Sequence, residues 1–115
     1  RESLGHQVGV QNDYMNGVIS GILDFKSGDD KELKGLTKAE LLQKLQEADQ
    51  KLIGLLADPE IGNKKVKVPW SETPIPAIAS LWALDSHEIL HTGWNLAVMD
   101  HLNIERFPAL KNIWG

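Results

Sequence analysis

Residues 37–57, TKAELLQKLQEADQKLIGLLA, decide the fold class. Thr37 followed by Glu40 is a capping box, in which each side chain satisfies a backbone N–H at a helix start. Leu41, Leu45, Ala48, Leu52 and Leu55 then recur at helical spacing, with Leu42, Ile53 and Leu56 widening the stripe and Lys44, Glu47 and Lys51 turned to water. The pattern predicts an amphipathic helix to about Ala57, closed by Asp58-Pro59. Such a helix buries one face, so the flanking segments must supply its partners.

Upstream, Leu4, Val8, Met15, Val18, Ile19 and Ile22 lie on one side of a helix predicted from Arg1 to about Phe25. Gly5, Gly9, Gly17 and Gly21 each weaken it by up to about 1 kcal/mol and permit close helix approach. Lys26-Ser27-Gly28-Asp29-Asp30-Lys31 reads as a solvated loop. Downstream, Gly62, Pro69 and the alternating Val66-Lys67-Val68 predict a long connection with one short extended piece, from which alone no sheet can be built. Thr73 as N-cap and Pro74 at the first helical position open a last helix reaching about Leu102, with Asn103 ending it. The tail, with Phe107-Pro108 and Trp114, is expected to strap over the rest as an apolar cover. The expectation is an all-α chain, one domain over residues 1–115, with three helices in an up-down, antiparallel bundle. Because the first residue is Arg1 rather than Met and Leu4-Gly5-His6-Gln7-Val8 already reads as the interior of a structured segment, a preceding helix is expected as the fourth.

With 16 Asp and Glu against 12 Lys and Arg, the chain is mildly acidic, which disfavours nucleic acid and anionic membrane surfaces. There is no cysteine, so disulfides and thiolate metal sites are excluded. No apolar run approaches the roughly 20 residues of a membrane span, and no signal peptide opens the sequence. A soluble, cytoplasmic protein without membrane or nucleic-acid partners is the expectation.

His87 and His91, four apart, put both imidazoles on one face of the last helix, about 6 Å apart at Cβ. Leu84, Trp94 and Val98 share that face, so the pair should point inward. Single core histidines are ordinarily satisfied by backbone carbonyls or water, whereas two inward imidazoles without partners are costly. The pair therefore reads as a chelate. His6 faces Val10, Gly17 and Gly21, small residues that leave room for an ion, and offers a third nitrogen. Three neutral imidazoles leave an open tetrahedral position suited to Zn²⁺, and also serve Ni²⁺ or Fe²⁺. His101, near the helix end, is explained by the helix dipole and is not counted as a ligand.

Leu4-Gly5-His6-Gln7 leading into Asn12-Asp13-Tyr14-Met15, and the later His87-Glu88-Ile89-Leu90-His91-Thr92-Gly93-Trp94, together resemble the DinB-like superfamily. That resemblance covers most of the chain. It implies a four-helix bundle whose first helix is missing from this chain, with His6, His87 and His91 as ligands of a divalent metal. It also implies a metal-dependent enzyme acting on a small-molecule substrate, by hydrolysis or by transfer from a low-molecular-weight thiol.

The same residues satisfy His-Glu-x-x-His, in which Glu88 would be the general base of a zinc metallopeptidase. Trp94 and Ala97 stand where the extended metzincin pattern needs Gly and His. Glu88 is otherwise a supporting or surface carboxylate. Asp13, on the face of His6, is the other candidate catalytic group. A non-catalytic, metal-binding or dimeric bundle is the third class: Ile78, Trp82, Ile89 and Leu96 form an apolar strip opposite the His face, which predicts a homodimer or a docked fourth helix. Trp70, Trp82, Trp94 and Trp114 read as core or interface, with Trp94 as a candidate pocket wall.

Overall fold

A computed structural model describes residues 2–26 and 31–114. Its described residues contain five α-helices, α1 (Glu2–Ser20), α2 (Lys31–Gly35), α3 (Lys38–Leu56), α4 (Ala77–His101) and α5 (Pro108–Trp114), with strands β1 (Lys65–Val66) and β2 (Ile75–Pro76). The chain is mostly helical, as its periodicity predicts. It divides into two compact units, Arg1–Asp85 and Ser86–Gly115, with the division falling inside α4.

In the first unit α3 realises its sequence pattern closely. The Thr37 hydroxyl accepts from the Glu40 N–H at 3.3 Å, and the Thr37 N–H donates to the Glu40 carboxylate at 2.7 Å. The Thr37 hydroxyl, which also donates to the Glu40 carboxylate at 2.7 Å, and then the Thr37 N–H hold the Glu40 carboxyl below its ordinary pKa. Leu41 and Ala48 are buried and Leu45, Leu52 and Leu55 half-buried, while Leu42, Ile53 and Leu56 remain exposed. The stripe is therefore the narrow one.

Helix α1 stops at Ser20 rather than near Phe25. Gly21 takes φ +82°, a left-handed conformation open to glycine at no steric cost, and its N–H donates to the Gly17 carbonyl at 2.8 Å. The chain then folds back over its own helix. A Cβ on Gly17 would stand 3.0 Å from Leu23 Cα, so this glycine admits the returning chain rather than leaving a gap for an ion. Leu23 N–H donates to Lys67 O and Lys67 N–H to Gly21 O, both at 2.8 Å, which ties the turn to the extended segment. Of the expected loop over Lys26 to Lys31, Ser27 to Asp30 lie outside the described residues.

The up-down expectation fails for α1 and α3. Leu41 Cδ2 lies 3.9 Å from the Cβ position of Gly5, and Gln11 Nε2 donates to Asp49 Oδ1 at 2.9 Å. Residue numbers rise together along both helices, so they run parallel. The connection through α2 is therefore not a hairpin, a use of chain length that periodicity does not encode.

Residues 57–76 do more than connect. Asp58 caps a 3-10 turn over Pro59–Asn63 by accepting from the Glu60 N–H at 2.9 Å, and Lys64 Nζ donates to Asp58 at 2.8 Å; these bonds lower the Asp58 pKa. β1 and β2 pair antiparallel, Lys65 opposite Pro76 and Val66 opposite Ile75, where the sequence offered one extended piece and no sheet. The second strand takes up Pro76, so α4 begins at Ala77 and not at Thr73-Pro74. Val10, Tyr14, Val18, Leu23, Ile61, Val66, Val68, Ala77 and Leu84 form the core of this unit.

In the second unit, α4 ends where Asn103 predicted. Asn103 adopts φ 52°, Ile104 N–H donates to Met99 O at 2.8 Å and Asn103 N–H to Asp100 O at 3.2 Å, the paired bonds of a Schellman termination. The expected strap is corrected: the tail forms α5, with Ile104, Phe107 and Ile113 exposed, Ile113 at 71 %. The side chain of Trp114 lies outside the described ones.

Candidate metal centre

α4 carries the chelating pair. The helix runs unbroken across His87 and His91, so the four-residue spacing stacks the two imidazoles one turn apart. Their ring centroids are 4.5 Å apart, inclined at 66°. The two Nε2 atoms face each other at 3.2 Å. Two nitrogens bound at ~2.05 Å to a tetrahedral ion stand about 3.3 Å apart, so the observed spacing fits the shared edge of such a site. His91 is buried and His87 half-buried, as an inward-facing pair requires. The Trp94 ring stands edge-on to His91 at 5.8 Å and 74°.

His6, on α1, is exposed. His87 and His91, both in the second unit, each offer one ring nitrogen to a metal ion. The donor set is all nitrogen, suited to Zn²⁺, Ni²⁺ or Fe²⁺ and poorly suited to Mg²⁺ or Ca²⁺.

Glu88 engages the opposite side of the His87 ring. Its Oε1 lies 3.3 Å from His87 Nδ1, the nitrogen that does not face His91. The contact makes Glu88 a supporting carboxylate rather than a surface one, and spacing alone does not show it, because adjacent positions on a helix do not ordinarily face each other. It becomes available when a long carboxylate bends back along the ring. The Thr92 hydroxyl donates to the Glu88 carbonyl at 3.0 Å, a helix back-bond that leaves the Glu88 side chain unencumbered by Thr92.

Asp13 is buried at 4 % exposure on α1. Nearby on that helix, Gln11 is committed to Asp49. Of the core-or-interface expectation for the tryptophans, the core half is corrected: Trp70, Trp82 and Trp94 are 52 %, 67 % and 62 % exposed. Trp70 instead lies 6.3 Å from Phe25 in a stacked pair, both next to the Tyr14 ring. Burial raises the Tyr14 pKa, which keeps its hydroxyl neutral. The strip on α4 is also revised, since Ile78, Trp82 and Ile89 are exposed but Leu96 is buried at 8 %.

No helix among the described residues is long and apolar enough to cross a membrane. No family model, no curated protein and no solved structure matches this chain.

Proposed function

We propose that this chain is a metal-dependent enzyme of the DinB-like type, acting on a small-molecule substrate in the cytoplasm. The observation that carries the reading is the His87–His91 pair with Nε2 atoms 3.2 Å apart on one helix. His87 and His91 would grip the ion from that helix, with His6 as the third ligand that the DinB-like resemblance implies, leaving a fourth position for substrate. An ion held there supplies Lewis-acid chemistry, polarising a substrate oxygen or lowering the pKa of a bound water or thiol toward neutrality. Asp13 is the candidate proton carrier: it is buried and shares the His6 face of α1, seven residues on. With no cysteine in the chain, a thiol reactant would come from a low-molecular-weight compound. The DinB-like bundle, completed by a further helix or by a second copy, belongs to the same proposal.

A zinc-peptidase use of the same helix is the second reading, kept because His87-Glu88-Ile89-Leu90-His91 fits its motif. Against it, the Glu88 carboxylate sits at Nδ1 of His87, on the far side of the ring from the face that would hold metal. A general base for an attacking water belongs on the metal side.

Elemental analysis of untagged protein tests the first reading. One divalent ion per chain is expected, lost on combining His87→Ala with His91→Ala. Metal content unchanged in that double variant refutes the site. Peptide hydrolysis abolished by Glu88→Gln with metal retained would establish the second reading instead.

A further inference from the structure

Glu88 has a carboxylate placed against a ring nitrogen that neither the chelate nor the proposed substrate position uses. We propose that Glu88 is a positioning residue that fixes the tautomer of His87. A carboxylate accepts only, so the 3.3 Å contact between Oε1 and Nδ1 is a hydrogen bond when Nδ1 carries the proton. Placing the proton there leaves Nε2 of His87 unprotonated, its lone pair directed at His91 3.2 Å away. Without metal, that lone pair accepts from the Nε2–H of His91. With metal, the same lone pair is already aimed as a donor, and only His91 has a proton to give up or move to its own Nδ1. The preference runs against that of a free imidazole, which favours the proton on Nε2, so a partner at Nδ1 is needed to sustain it.

The side-chain exposures of 24 % for His87 and 33 % for Glu88 leave the bond partly shielded from water. It therefore survives competition better than a surface contact does. Its position on the adjacent residue of one rigid helix also makes the orientation independent of any loop. This role rests on the metal reading of the site for its purpose but not for its detection, because the tautomer exists in metal-free protein.

The experiment is two-part. Long-range ¹H–¹⁵N correlation spectra of metal-free protein should show His87 as the Nδ1–H tautomer. In Glu88→Ala the ring should move toward Nε2–H, and in Glu88→Gln, whose amide oxygen still accepts, it should largely keep the wild-type form. Zn²⁺ affinity, measured by competition with a chromophoric chelator, should fall by about 10–100-fold in Glu88→Ala, as for other carboxylates that orient a metal-binding histidine. Glu88→Gln should recover most of it. Far-UV circular dichroism confirms that both variants stay helical; should Glu88→Ala fail to fold, the comparison of wild type with Glu88→Gln, and the wild-type tautomer itself, still decides. An Nε2–H tautomer in the wild type, or a His87 spectrum indifferent to Glu88→Ala, overturns the proposal. Wild-type protein that binds no Zn²⁺ while His87 holds the Nδ1 proton refutes the metal reading and leaves the tautomer role standing.

Discussion

Substituting Gly17 by alanine sets two opposed effects against each other, and the structure says which wins. In a helix interior, Gly→Ala is worth about 1 kcal/mol through propensity alone. At Gly17 the new Cβ would meet Leu23 Cα at 3.0 Å, Cβ at 3.2 Å and Cδ1 at 3.3 Å. The closest of these is backbone and cannot swing aside as a side chain would. It is also tethered, because Leu23 N–H and Gly21 O both bond to Lys67 at 2.8 Å and Gly21 is committed to its positive φ. Overpacking of this kind costs roughly 1–3 kcal/mol, so Gly17→Ala should be destabilising by about 1 kcal/mol net. Gly54, inside α3, has nothing within 4 Å of its Cβ position and is the control. There the propensity gain is unopposed, and Gly54→Ala should stabilise by up to about 1 kcal/mol. The two variants should differ by about 2 kcal/mol in urea unfolding followed at 222 nm, or by roughly 8 °C in melting temperature. Equal stabilisation by both would refute the close return of the chain over α1.

Four further outcomes are expected. Zn²⁺ at about 100 times its dissociation constant should stabilise the fold by about 2.7 kcal/mol, read as a rise in melting temperature that His87→Ala with His91→Ala abolishes and a chelator reverses. Thr37→Ala removes one half of the capping box and should cost about 1 kcal/mol in chemical unfolding. Glu40 titrates lower when folded, through its bonds from Thr37, so its contribution is full above its unfolded pKa of about 4.5 and fades as pH falls through the folded value; the stability loss on acidification should be smaller in Thr37→Ala. Finally, Ile78, Trp82 and Ile89 are exposed along α4, and Ile89→Glu should convert a dimer to monomer by light scattering if this face joins two copies; wild-type protein of monomeric mass ends that idea.

The capping box of Thr37 and Glu40, the stripe from Leu41 to Leu55, the stop at Asn103 and the shared face of His87 and His91 all depend on contacts within a few residues, and such contacts are written directly in spacing. Other features depend on residues far apart in the chain. The parallel course of α1 and α3, the pairing of Val66 with Ile75, the use of Gly17 to admit Leu23 and the exposure of three tryptophans follow from which surfaces meet, and helical periodicity is blind to that. Pro74 shows the boundary between the two kinds of information. Its fixed φ suits a first helical turn, but the ladder to β1 claims residues 75 and 76 for a strand, and a hydrogen bond from Ala77 N–H to Lys64 O at 2.9 Å sets the start of α4 three residues later.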